Sequence, residues 1–166
     1  MLRLTSTNHI RLSEMADAKA NILMSVNAII VSVILTVMLP RLQEQDYLVI
    51  PSIIFLVTAI STIIVAVIAV RPGVNKGTFT SEDVQNKKIN LLFFGNFHKM
   101  VFPDYELAMR KMMRDPDYLY RSLLKDIYFL GVVLAKKFRL IRFAYNIFMI
   151  GLIVSIISFS VAVLFS

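Results

Sequence analysis

The chain has 166 residues, of which 57% are hydrophobic and 17% are charged, and its mean hydropathy is +0.70. This composition is typical of membrane proteins and excludes an ordinary soluble domain. The absence of cysteine excludes disulfides and thiolate chemistry, and the net charge of +7 indicates anionic partners such as lipid headgroups.

Three apolar runs, at residues 22–39, 48–70 and 143–165, contain no Lys, Arg, Asp or Glu. At about 1.5 Å per residue, the first run gives a helix of about 27 Å and the other two give helices of about 35 Å. Each length is sufficient to cross the hydrocarbon core of a bilayer. The sequence therefore predicts three transmembrane helices.

The distribution of charge predicts the orientation of these helices. Residues 71–142 carry fourteen bases and seven acids. Because basic residues beside membrane spans stay on the cytoplasmic side, we expect the N-terminus and residues 71–142 inside and the C-terminus outside. The bases either attract anionic headgroups or form an anion site, and both interpretations stay open. The acids among them and the lack of a recognition motif argue against a nucleic acid polymer as partner.

The N-terminal segment carries an unusual row of polar residues. Thr5, Ser6 and Thr7 can cap a helix that begins near Asn8 and continues into the first apolar run. Polar side chains then recur every four residues, and a further one lies deeper in the run; we call this row the polar ridge: His9, Ser13, Asp17, Asn21, Ser25 and Asn27. Polar groups in hydrocarbon need partners, so we expect this row to face protein or water and to couple sensing to the membrane. The alternative is that Ser25 and Asn27 form hydrogen bonds across a helix pair.

Prolines mark the boundaries of the next elements. Pro40 is expected to end the first helix, and Pro51 lies in the first turn of the second, which makes a helical hairpin. A loop at 74–79 and a helix at 81–93 follow. Pro103 opens a helix over 103–114, in which an apolar stripe is expected from four residues: Tyr105, Met109, Met112 and Met113.

The C-terminal third predicts one long helix. Asp115 and Pro116 form a cap and a first turn, and no proline follows Asp117. Apolar residues spaced by three and four form a packing seam: Leu119, Leu123, Ile127, Leu130, Leu134 and Phe138. The expected fold is an all-α integral membrane protein with four regions: a cytoplasmic N-terminal helix (1–21), a transmembrane hairpin (22–70), a cytoplasmic helical sensing region (71–142) and a third transmembrane helix (143–166).

The sequence contains no recognisable set of catalytic residues. His9 and His98 lie on separate segments without the spacing of metal ligands, and no Gly-rich phosphate loop or nucleophile elbow occurs. We therefore predict a protein without catalytic residues, metal or cofactor. The densest unexplained cluster is residues 90–99, where aromatic rings can stack on a base and amides and cations can hold phosphate. The alternative is an apolar wedge that docks the cytoplasmic layer.

Three strings resemble the transmembrane effectors of Pycsar antiphage systems: residues 8–22 (NHIRLSEMADAKANI), 90–100 (NLLFFGNFHKM) and 117–120 (DYLY). The resemblance covers nearly the whole chain. The same domain also occurs fused behind HD-type phosphohydrolase domains. This sequence carries no HD domain, so it is either a stand-alone effector or the effector part of a longer protein.

The resemblance implies a bacterial inner-membrane protein that responds to a cyclic nucleotide, such as cyclic CMP or cyclic UMP from a partner cyclase. It further implies homo-oligomers or pores that impair the membrane and cause abortive infection. Within 90–99, the expected ligand-binding residues are Asn90, Phe93, Phe94, Asn96, Phe97 and Lys99. The alternative function is a passive membrane anchor or scaffold for a partner enzyme.

Overall fold

The computed structural model describes residues 1–41, 45–71, 90–93, 97–98 and 100–165. These residues contain four helices: α1 (Leu2–Val33), α2 (Val49–Val70), α3 (Phe102–Met113) and α4 (Pro116–Leu164). No strand occurs in these ranges, which confirms the predicted all-α fold. The predicted loop at 74–79, most of the predicted helix at 81–93, and the ligand-site residues Phe94, Asn96 and Lys99 lie outside the described residues.

Three helical stretches are long and apolar enough to cross a membrane: Leu2–Met38, Asp46–Val70 and Pro116–Leu164. They cover the three apolar runs of the sequence to within one residue, as predicted. The chain is therefore a multi-pass membrane protein by the length and composition of its helices. The last stretch is a single α-helix of 49 residues, as the absence of proline after Asp117 leads one to expect.

Three helix boundaries differ from the sequence prediction. The described end of the helix predicted at 81–93 is not helical, since residues 90–93 form a turn. Helix α1 begins at Leu2 and not near Asn8. The hydroxyls of Thr5 and Thr7 therefore lie within the helix, where they bond back to the carbonyl oxygens of Met1 (3.3 Å) and Arg3 (2.9 Å) instead of capping. Pro40 does not end the first helix either. A π-helical segment (Ile34–Met38) precedes a last helical turn (Leu39–Arg41). The wider π turn accommodates the ring and the missing N–H of proline.

The chain forms two compact units. One, here called the polar unit, comprises Met1–Arg11 and Pro72–Leu134, and the other, the span unit, comprises Leu12–Arg71 and Ala135–Ser166. Helices α1 and α4 contribute residues to both.

Small residues line the helix contacts of the span unit. Ala16 and Ala20 of α1 pack with Ala69 of α2 and Ile141 of α4, and Leu23, Ala66 and Ala144 form the next layer. Farther along, Gly151 lies so close to Thr58 that an added Cβ would be only 2.8 Å from the Cβ of Thr58. Small side chains allow such close approach, which is how helices pack in membranes. The order of these contacts makes α1 and α4 parallel and α2 antiparallel to both.

The polar unit has a small core of its own. Leu91, Ala108, Met112 and Tyr118 are buried together, and Leu119 of the predicted seam packs against them. Met113, which the predicted apolar stripe of α3 includes, is exposed, and Ala108 takes the buried position instead. Pro103 lies in the first turn of α3, and Asp115 caps α4 by accepting the N–H of Tyr118 at 3.1 Å; both were expected.

Candidate functional site

A polar cluster joins α1 to α4 within the span unit. The Lys137 Nζ contacts Asp17 Oδ1 at 2.7 Å and donates hydrogen bonds to Asp17 Oδ2 and Ser13 Oγ, both at 2.9 Å. Ser13 and Asp17 are one turn apart on α1, so both can reach the same ammonium group. We call Ser13, Asp17 and Lys137 the α1–α4 cluster.

The two charges of the α1–α4 cluster differ in exposure. The side chain of Lys137 is only 16% exposed, whereas that of Asp17 is 42% exposed. A nearly buried ammonium is costly without a counter-charge, whereas the Asp17 side chain keeps part of its hydration although its Oδ1 is buried against Lys137. Asp17 is therefore the compensating group that allows Lys137 to lie against α1 just before the third apolar run.

The other members of the polar ridge are separated in the structure. Asn21 and Ser25 are exposed, while Asn27 is 1% exposed and donates from Nδ2 to the carbonyl oxygen of Leu23, in its own helix, at 2.8 Å. Because this bond lies within α1, it contradicts the alternative in which Asn27 forms a hydrogen bond across a helix pair. The Oδ1 of Asn27 is buried without a hydrogen-bond partner among the described residues.

His9, the first residue of the polar ridge, belongs to the polar unit and not to the α1–α4 cluster. Its ring lies against Gly131 of α4, where an added Cβ would be 3.5 Å from the His9 Cε1. Its Nδ1 is buried without a hydrogen-bond partner within the described part of the chain. The polar ridge therefore contributes separate contacts to the two units and does not form one continuous polar face.

Asn90 opens the predicted ligand-binding segment and is buried. Its Oδ1 accepts the N–H of Leu92 at 3.1 Å, and its Nδ2 donates to Asp126 Oδ1 on α4 at 3.2 Å. The Phe97 ring packs on Tyr105 with a centroid distance of 5.3 Å, and Phe93 is half-buried. These contacts tie the turn to α3 and α4. Nucleotide binding by the six residues stays a prediction.

A groove between α1 and α4 was not predicted from the sequence. It has a volume of about 520 Å³ and is lined by Lys19, Phe138, Ile141, Arg142 and Tyr145, all in the span unit. The Tyr145 hydroxyl donates to the carbonyl oxygen of Lys19 at 3.3 Å. The signal was present in the sequence, because a base precedes each of two apolar runs and a tyrosine lies just inside one.

The described residues contain no group of three or more His, Cys, Asp or Glu side chains that could hold a metal ion.

Comparison with known proteins adds the family. The model of the Pycsar effector protein domain (PycTM) matches residues 1–165, which confirms the resemblance in the sequence. No curated protein and no solved structure gives a significant match to the chain. The matched region includes all three candidate spans, and the family is one of membrane effectors not known as enzymes. The chain therefore belongs to the Pycsar effector family, whose members are membrane effectors of antiphage defence.

Proposed function

We propose that this protein is a cyclic-nucleotide-triggered effector that impairs the bacterial inner membrane and so causes abortive infection. The observation that carries the proposal is the family match over residues 1–165, which includes three helices able to span a bilayer. The signal is a cyclic nucleotide, such as cyclic CMP or cyclic UMP, that a partner cyclase makes upon infection.

In this proposal, the N-terminus and residues 71–142 are cytoplasmic and the C-terminus is periplasmic. Four bases just before the last apolar run support this orientation: Lys136, Lys137, Arg139 and Arg142. The nucleotide, made in the cytoplasm, then reaches the polar unit directly.

The nucleotide binds residues 90–99 in this proposal. The rings of Phe93 and Phe97 offer stacking faces, and Asn90 positions the turn, since its amide already bonds Leu92 and Asp126. Binding changes the packing of this turn on α4. Because α4 is one helix from Pro116 to Leu164, the change is carried into its apolar half.

The α1–α4 cluster passes the change on to α1. The Lys137–Asp17 pair holds the two helices together, so α1 follows a movement of α4. Substituting Lys137→Met is expected to abolish nucleotide-dependent depolarisation. Lys136→Met removes a neighbouring exposed charge outside the cluster and is the matched control, with depolarisation retained. Depolarisation that persists unchanged in Lys137→Met contradicts this relay.

Oligomerisation completes the proposed mechanism, since three helices do not enclose a pore. An exposed apolar stripe on α4 in the polar unit supports it: Tyr120, Leu124 and Tyr128, spaced by four and 58–67% exposed. Leu124→Glu is expected to lower the oligomer mass measured by mass photometry. Leu107→Glu, at an exposed apolar position on α3, is the control. A wild-type protein that is monomeric with and without nucleotide contradicts pore formation.

The experiment that tests the proposed function uses cells that express the protein with or without a pyrimidine nucleotide cyclase. A membrane-potential dye is expected to report depolarisation only when both proteins are present. Sustained polarisation in those cells contradicts the proposal and supports the passive anchor. Calorimetry of the detergent-solubilised protein against a panel of cyclic nucleotides tests the sensing step separately, because absence of binding to every one removes it.

A further inference from the structure

The groove between α1 and α4 lies at one membrane boundary. Lys19 precedes the first apolar run by three residues, and Arg142 immediately precedes the third. Since α1 and α4 run parallel here, the two bases reach the same level. Tyr145 lies about one turn farther into the apolar segment, and tyrosine is enriched at the headgroup level of membranes. The groove therefore opens where lipid headgroups lie.

The two bases of the groove carry uncompensated charge. Neither Lys19 nor Arg142 forms an ion pair with an acid among the described residues, and both are exposed. The nearby Asp17 is already paired with Lys137. The rim of the groove is thus cationic, while Phe138 and the buried Ile141 give it an apolar floor.

An ammonium and a guanidinium at one rim suit a phosphodiester, because Arg binds two phosphate oxygens at once and Lys adds a point charge. Beyond the groove, α4 presents an apolar flank, since Met149 and Ile153 follow Tyr145 in steps of four residues and are exposed. A ligand that matches both parts has a phosphate head and an acyl tail. Basic pockets between transmembrane helices bind anionic lipid headgroups in this way.

We propose that Lys19, Arg142 and Tyr145 form a binding site for an anionic phospholipid, with its phosphate between the two bases and one acyl chain along α4. This site goes beyond the proposed function, which assigns no lipid-specific contact. A cyclic nucleotide shares the phosphodiester but lacks the acyl chain, so the two sources can be separated by experiment.

The absence of tryptophan from the chain allows a site-specific test. Tyr145→Trp places one fluorophore in the groove, and Phe143→Trp places one at the same depth but on a residue that does not line it. Each full-length variant is reconstituted into phosphatidylcholine vesicles with increasing fractions of brominated phosphatidylglycerol or brominated phosphatidylcholine. Bromine quenches tryptophan only at short range, so quenching reports which lipid occupies the groove.

For Trp at position 145, we expect half-maximal quenching at about a tenfold lower mole fraction of phosphatidylglycerol than of phosphatidylcholine. The preference is expected to fall to the level of the Phe143→Trp variant in Lys19→Gln/Arg142→Gln. It is expected to persist in Lys136→Gln/Arg139→Gln, which removes two bases outside the groove. Equal quenching by both lipids at position 145, an unchanged preference without Lys19 and Arg142, or displacement of the lipid by millimolar cyclic CMP or inorganic phosphate overturns the proposal.

Discussion

Removing the partners of the α1–α4 cluster one at a time tests whether the contact between Asp17 and Lys137 stabilises the protein. Asp17→Ala leaves an ammonium that is only 16% exposed with Ser13 as its remaining partner. Hydrogen bonds to charged groups contribute about 1.5–3 kcal/mol, so we expect a loss of about 2 kcal/mol in the free energy of unfolding. Lys137→Met leaves a carboxylate whose Oδ1 is buried but whose side chain is 42% exposed, so water can reach part of it and we expect a smaller loss of about 1 kcal/mol.

The double variant measures the interaction energy between Asp17 and Lys137 apart from the contribution of each residue alone. With Lys137 replaced, the loss of Asp17 removes no further contact, so the double variant is expected to lose about 1 kcal/mol, which gives a coupling of about 2 kcal/mol. The assay is reversible unfolding in detergent, followed by the helical circular dichroism. Two results would contradict this prediction. One is a double variant whose loss in the free energy of unfolding equals the sum of the two single losses, and the other is a Lys137→Met variant that is less stable than Asp17→Ala.

Substitutions at three other contacts are expected to change the free energy of unfolding by different amounts. Gly151→Ala places a methyl group against Thr58 and is expected to destabilise the protein by about 1–3 kcal/mol in the same unfolding assay, with partial rescue by Thr58→Ala; no cost would contradict the close helix contact. Met112→Ala removes a fully buried side chain of the polar unit and is expected to cost about 2–5 kcal/mol, seen as a lower unfolding midpoint. Glu106→Gln breaks an exposed ion pair with Arg110 and is expected to change the free energy of unfolding by less than about 1 kcal/mol. A larger change would contradict the classification of this pair as a weak surface contact.

The membrane helices could be predicted from the sequence because their signals are local. Charge-free runs of sufficient length determine the spans, and the absence of proline after Asp117 accounts for the single helix from Pro116 to Leu164. The cap at Asp115 is equally local, since the accepted N–H belongs to Tyr118. These features follow from a few adjacent residues, and tertiary contacts do not alter them.

The polar ridge could be predicted only in part, for a geometric reason. A helix turns about 100° per residue, so a step of four residues overshoots one turn by about 40°. Over the four steps from His9 to Ser25 the row turns by about 160°, and so Asn21 and Ser25 are exposed while Asp17 contacts α4. The sequence also gave no indication that Lys137 pairs with Asp17, since the two are 120 residues apart and several other bases surround Lys137.

Which side chains of α3 are buried depends on the elements that pack against this helix, and the sequence does not identify them. The predicted stripe of α3 includes Met113, but the turn at Leu91 covers Ala108 and Met112 and leaves Met113 exposed. The groove at Lys19 and Arg142 depends in the same way on the parallel course of α1 and α4. Helix pairing creates it, and periodicity within one helix does not reveal it.

Purified protein in proteoliposomes loaded with a fluorescent dye tests whether a cyclic nucleotide alone makes this protein permeabilise a membrane. Cyclic CMP, cyclic UMP and linear CMP are added separately, and dye release is followed with the wild type and with Lys137→Met. We expect release by the wild type with one cyclic nucleotide, no release with linear CMP, and none from Lys137→Met. Dye release that does not depend on nucleotide, or no release with any cyclic nucleotide, would contradict a nucleotide-triggered membrane effector.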